Sequence, residues 1–165
     1  MQLNDFFDYK NKLMEDLITN KSIVSLIKDG TDVENAASLI YTQVFPYEYV
    51  PETVQTGGTY ICFDVDIQNV SNKTFLTPVL YVWVFAHRSN LRLPEGGVRT
   101  DKLCSAICEA INGSRYYGLG ELSLYSVKRF APMTDYQGKL MTFYAKEFNR
   151  QFNGAKSTPT NRKNS

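Results

Sequence analysis

Seven consecutive residues, Leu80-Tyr-Val-Trp-Val-Phe-Ala86, constrain this chain more than any other stretch. In an extended strand successive side chains point to opposite faces, so Leu80, Val82, Val84 and Ala86 share one face and Tyr81, Trp83 and Phe85 the other. Both sets are apolar, and the run is rich in β-branched and aromatic residues. That pattern predicts a central strand covered on both sides. Helices of the same chain can cover one face. A chain of 165 residues fits one domain and has little left to cover the second, which makes a neighbouring subunit a candidate cover.

The segments around this strand supply the helices and the rest of a sheet. Phe6, Leu13 and Leu17, with Phe7, Met14 and Ile18, form a stripe at helical spacing, with Asp5 as expected cap and Asn20 as stop. Ser22 is expected to open a second short helix ending at Gly30, and Asp32 to cap a third through Ala36, Ala37 and Ile40. Pro46 and Pro51 enclose Tyr47, Tyr49 and Val50, which predicts an extended connector over Phe45 to Thr53. Ile61, Phe63, Val65 and Ile67 alternate with Cys62, Asp64, Asp66 and Gln68, as in a strand with one buried and one wet face, and a polar turn follows over Asn69 to Lys73. After the central strand a loop from His87 to Gly97 leads to a helix expected to be capped by Thr100 and stopped by Gly113. Leu122 to Phe130 and Leu140 to Phe148 read as the arms of a hairpin around a turn at Asp135 to Gly138. The order predicts an α+β fold: a mainly antiparallel sheet of about four strands with helices packed on one face. Residues 1–150 are expected to form a single assembly domain. Residues 151–165 lack large apolar side chains after Phe152 and are expected to be a flexible tail.

Charge and composition narrow the partners. Lys and Arg number 18 against 17 Asp and Glu, without the cationic surplus that phosphate binding draws on. No apolar run approaches the roughly 20 residues of a membrane-spanning helix, and residues 1–10 do not read as a secretory signal. Three cysteines are too few and odd in number for a disulfide framework, which points to synthesis in a reducing compartment. The Asn-X-Ser/Thr matches at Asn69, Asn72 and Asn112 then carry no meaning. Eleven tyrosines suit a surface apolar on one side and wet on the other.

The residues that carry chemistry do not assemble into a recognised motif. His87 is the single histidine, and as a base it needs a nucleophile and an orienting group. Cys104 and Cys108 share a helix face, but Cys62 and His87 make no second close pair to complete a zinc site with them. Asp64 and Asp66 are too few for calcium. Gly118-Leu-Gly120 precedes a strand, whereas phosphate-binding glycine loops follow one, so it reads as a turn. No catalytic, cofactor or metal residue is assigned, and no enzyme activity is expected. Surfaces remain, and Tyr81, Trp83 and Phe85 with Leu91, Arg92 and Leu93 of the loop are the expected partner-contacting residues.

This succession resembles the tail-terminator and head–tail joining (neck) proteins of long-tailed bacteriophages. The likeness runs from the N-terminal helices through the Pro46 to Pro51 connector and the strand ending at Ala86. It continues through Gly97-Val-Arg-Thr-Asp-Lys-Leu103 and the closing strands Glu121 to Phe130 and Leu140 to Phe148. It rests on pattern and order, and no family residue carries over. The resemblance implies a structural virion protein made in the host bacterial cytoplasm and located in the tail or neck. It implies a homo-oligomer, often a hexameric ring, that caps the tail tube and docks it to the head connector, with nucleic acid at most passing through the ring. The alternatives are a baseplate or other neck component, a regulatory domain binding a small molecule or nucleic acid, and an enzyme using His87 with Cys62 or Cys104.

Overall fold

A computed structural model describes residues 5–28, 36–50, 57–69, 75–145 and 147–148. The elements follow in the order α1 (Asp5–Thr19), α2 (Lys21–Ile27), a 3-10 turn (Ala36–Leu39), β1 (Val44–Phe45), β2 (Thr59–Asn69), β3 (Phe75–His87), a second 3-10 turn (Arg88–Asn90), α3 (Arg99–Ile111), β4 (Ser123–Phe130), β5 (Tyr136–Tyr144) and β6 (Glu147–Phe148). The sheet runs β1-β2-β3-β5-β4, with β6 beside the start of β3. All pairings are antiparallel except β1 with β2. The α+β class and the mainly antiparallel sheet agree with the sequence pattern. The four long strands are the four expected, and two two-residue strands are added to them.

The central strand is β3, flanked over its length by β2 and β5. It starts at Phe75, well before the apolar run, and includes Pro78. Proline gives no ladder donor, and here it lies opposite Ile67 beside the irregularity at Ile67/Asn69, where pairing is already interrupted. Leu80, Val82 and Val84 meet Tyr9, Leu13 and Leu17 of α1, Ile23 and Val24 of α2, and Leu103 and Ile107 of α3 in one core on one side of the sheet. Burial of each such side chain contributes about 1.5–3 kcal/mol relative to exposure.

Several local expectations need correction. Asn20 closes α1 and also caps α2, its Oδ1 accepting from Ser22 N at 3.0 Å and Ile23 N at 3.2 Å, so the helix opens at Lys21. The segment through Ala37 is a 3-10 turn at Ala36–Leu39, while its expected cap Asp32 and the stop at Gly30 lie outside the described residues. Thr100 does not cap α3. It is buried inside a helix that begins at Arg99 with Val98 at the cap position and no side-chain cap. Arg99 replaces that cap by tertiary anchoring. Its Nε donates to Asn90 O at 2.6 Å and its Nη1 to Leu26 O at 2.7 Å, tying the helix start to the preceding loop and to α2. Gly113, at φ 79, does end α3 as expected.

The β4–β5 turn lies earlier than Asp135 to Gly138, since β5 already begins at Tyr136. Gly138 marks close approach, not a turn: a Cβ there would fall on the Val84 carbonyl oxygen and 2.6 Å from Phe85 Cα. The closing strand also breaks at Ala145, leaving β6 as a separate piece. The expected tail over 151–165, with the domain end at 150, lies outside the described residues. Among those described, no helix is long and apolar enough to cross a membrane.

Candidate functional site

The side of the sheet away from the helices carries Tyr81, Trp83 and Phe85, and it is divided in two. Toward the end of β3, Phe85 is fully buried in a second cluster with Phe45, Tyr60, Cys62 and Tyr136. Phe45 and Tyr49 stack with centroids 4.0 Å apart, and Tyr60 stacks on Phe85 at 5.4 Å. Phe130 and Tyr136 close the cluster from β4 and β5 at 5.8 and 6.0 Å from the Phe85 ring. Such pairs add about 0.5–1.5 kcal/mol each beyond area burial. The described part of the connector, through Phe45 and Tyr49, therefore covers part of the second face, where the sequence predicts a plain extended link. Its Val44–Phe45 start is a parallel strand on β2. Phe85 belongs to the folding core of this chain, which corrects the expectation that all three aromatics are left for a partner.

Tyr81 and Trp83 remain half-buried, their rings stacked at 5.8 Å. They sit between Asp64 and Cys62 of β2 and Thr142 and Leu140 of β5. Asp64, expected on a wet face, is half-buried instead. Lys10 Nζ lies 3.0 Å from its carboxylate, and the Tyr9 hydroxyl donates to it at 3.4 Å, so α1 reaches around β2 where β1 has ended. Burial, followed by the Asp64 charge, pushes the Tyr9 phenol up and keeps it a neutral donor.

The loop after β3 is tied down. Arg92 is exposed and Leu91 half-buried, but Leu93 packs into the helix-side core. Leu93 N donates to Gly97 O at 3.2 Å, Arg99 N to Leu91 O at 2.7 Å, and Asn90 Nδ2 to Gly57 O. Lys102 Nζ holds Glu95 at 2.6 Å, lowering its carboxyl below the usual range. Beside this loop a groove of about 580 Å³ includes Arg92, Arg129 and Lys139 in its lining, with Leu91 and Val98 as apolar flanks. Lys139 is 3.6 Å from Asp101.

The candidate chemical groups are not brought together. Cys62 lies in the aromatic cluster, while Cys104 and Cys108 pack with the helix-side core on the other side of the sheet. Burial pushes the thiols of Cys62 and Cys104 up to about 12, far from a thiolate at neutral pH. His87 caps the 3-10 turn after β3, its Nδ1 accepting from Ser89 N at 3.3 Å with Ser89 Oγ at 2.7 Å. Its Nε2 is buried without a hydrogen-bond partner, and its ring meets Tyr136 edge-on at 5.3 Å. A hydroxyl thus lies within reach of the imidazole, yet no carboxylate among the described residues orients the ring.

Sequence reasoning missed the most exposed strand. β4 pairs only with β5 among the described strands, and six of its eight residues are exposed. Leu124, Tyr125 and Val127 are 38%, 68% and 47% exposed, which makes this edge apolar where Phe85 is not available. Lys128 and Arg129 lie beside them. A signal was present: Leu122 to Phe130 mixes large apolar residues with Lys and Arg on both faces, the composition of an edge and not of a half-buried strand.

These observations define an α+β protein whose accessible features are a half-open sheet face, a basic groove and an apolar edge. The YomW family profile matches residues 11–145, and the chain belongs to that family. The fold is similar to that of a chain in the "virion of native gene transfer agent (GTA) particle", with a TM-score of 0.50 and 19% identity over 82% of this chain and 91% of that chain. No curated protein sequence matches.

Proposed function

We propose that this chain is a structural protein of a tailed-phage-like particle, without catalytic activity, working through contacts with copies of itself and with other virion proteins. The observation that carries the reading is the fold similarity to a virion chain over 82% of this chain and 91% of that one. In its finer form the chain is a tail terminator or head–tail joining protein: a ring, often hexameric in the bacteriophage proteins it resembles, that caps the tail tube and faces the head connector. It is made in the bacterial cytoplasm and located at the tail or neck. Tyr81, Trp83, Leu91 and Arg92 are accessible for partner contact, while Phe85 and Leu93 are buried within the chain itself.

Mass spectrometry of purified particles from the producing cell tests this directly. Peptides of this chain are expected at a low, fixed ratio to the tail-tube protein, with antibody label at the head–tail junction. Particles lacking the chain end the reading, and label at the distal tip transfers it to a baseplate component. Arg92→Ala is expected to reduce particle incorporation while leaving the thermal melt of the isolated chain unchanged, because Arg92 is exposed and makes no ion pair among the described residues.

A further inference from the structure

Apart from Tyr116, between α3 and β4, the large apolar residues left exposed among the described residues fall into two sets. Phe7, Tyr41, Tyr47 and Val50, at 73%, 61%, 44% and 41% exposure, belong to α1 and the segments flanking β1. Leu124, Tyr125 and Val127 belong to β4, with Val98 in the groove beside it. β1 and β4 are the two ends of the sheet order, so the two sets lie at opposite ends of the molecule. Exposed unpaired charges of opposite sign lie beside the two sets, while Lys10, also in the lining of the α1 groove, is held by Asp64 at 3.0 Å. Exposed Asp8, Glu15 and Glu48 surround the β1 end, and exposed Arg92, Lys128 and Arg129 the β4 end. None of these six makes an ion pair among the described residues. The β1 end is also concave. A groove of about 390 Å³ opens between α1 and the β1 segment, with Phe7, Met14, Ile18, Ile40 and Tyr41 in its lining.

We infer that these two ends are the two halves of one contact: the β4 edge of one copy seats Leu124, Tyr125 and Val127 against the α1–β1 groove of the next. Lys128, Arg129 and Arg92 meet Asp8, Glu15 and Glu48 across it. An apolar ridge with unpaired cations finds on a second copy the apolar groove with unpaired carboxylates that complements it. Two different patches meeting make a heterologous contact, which repeats head to tail and closes into a ring when the rotation permits. The contact is made by side chains and not by adding strand to strand. β1 is two residues long, and its Val44 carbonyl already accepts from Tyr41 N at 2.9 Å. The inference deepens the assembly reading by naming the surfaces, and it rests on that reading only in taking a copy of this chain as a partner.

Complementary charge reversal tests it. One variant carries Lys128→Glu and Arg129→Glu, the other Asp8→Lys and Glu48→Lys; all four positions are exposed, and thermal melts check that both fold. Light scattering across a concentration series is expected to show oligomers for the parent protein. Each variant alone should dissociate at roughly tenfold higher concentration or more. Mixed in equal amounts, the two should recover the parent size, because each reversed surface then meets its reversed counterpart and each native surface its native one. A parent chain monomeric at every concentration overturns the inference. So do variants that assemble as the parent does, or a mixture that fails to recover. Particle composition is a separate measurement. Recovery on mixing with no chain in particles sinks the virion reading alone, and chain in particles with charge-insensitive assembly sinks this contact alone.

Discussion

β3 and β4 both carry large apolar side chains on both faces, and they end in opposite situations. β3 has no exposed residue from Phe75 to His87, whereas β4 exposes Leu124, Tyr125 and Val127 together. Position in the sheet makes the difference. β3 lies between β2 and β5, with helices on one side and the Phe45–Tyr60–Tyr136 layer over part of the other. β4 has a strand on one side only, and α3 packs mainly on β3 and β5, meeting β4 at its start, where Leu124 N donates to Oδ1 of Asn112 at the end of the helix at 2.8 Å. The most apolar strand of a chain is therefore a guide to its own core. The surface offered to partners is better sought in a strand of middling hydrophobicity at an edge, where apolar residues are interleaved with Lys and Arg.

The largest effect that would break this contrast is the loss of Phe85. Phe85→Ala empties the centre of a fully buried ring cluster and is expected to destabilise the isolated chain by about 3–5 kcal/mol, read as a lowered denaturant midpoint with an unchanged slope. A variant with normal stability and defective assembly would instead place Phe85 at a partner surface. The aromatic layer would then be a loose cover and not core.

Most of the architecture was legible before any coordinates, and what escaped had specific causes. Period-two and helical spacing locate β2 and α1, because one face of each is apolar, and β4 is located by its β-rich run between turn signals. The two-sided run located β3 but gave no information on what lay over Tyr81, Trp83 and Phe85. That depends on Phe45 and Tyr49 lying across the sheet, a tertiary arrangement set by the two-residue pairing Val44↔Ile61 and Phe45↔Cys62 and by the Phe45–Tyr49 stack. Gly138 was read as a turn residue because glycine signals both turns and close backbone approach, and only the neighbouring Val84–Phe85 backbone distinguishes them. Thr100 looked like a cap because it precedes a helical stripe, while the buried Arg99 that anchors the helix start is invisible to any local rule. Of the expected contact residues, exposure singled out Arg92, and the burial of Phe85 and Leu93 followed from cover supplied far away in sequence.

A smaller effect sharpens the contrast through pH. Burial pushes Cys62 up from 9.0 to about 12 and Tyr136 up from 10.0 to about 12, and both lie in the layer behind β3. Both groups are neutral when protonated, so the folded chain keeps protons that the unfolded chain releases first. Their contribution to stability is complete below about 9 and is lost as pH rises toward about 12. The melting temperature is expected to fall between about pH 9 and about pH 12, and Cys62→Ala with Tyr136→Phe should flatten the part of that fall due to this layer. An identical slope in the double variant would show that the layer does not govern the alkaline limb.

The smallest effect on the folded chain is the most informative about β4. Val127→Ser removes an apolar side chain that is 47% exposed on an edge strand, opposite Met141 of β5. Substitutions at such positions usually change stability by no more than about 0.5 kcal/mol, so the melt should hardly move. If this valine seats in a neighbouring groove, its truncation loses buried apolar area only in the oligomer, and the midpoint concentration for assembly should rise while the monomer is untouched. Val82→Ser, at a fully buried position of β3, supplies the opposite pattern: a large loss of stability whatever the oligomer does, because it leaves a hydroxyl in the helix-side core. Should Val127→Ser lower the melt of a dilute, monomeric sample as much as Val82→Ser does, the edge would be packed by its own chain. The contrast between the two strands would then disappear.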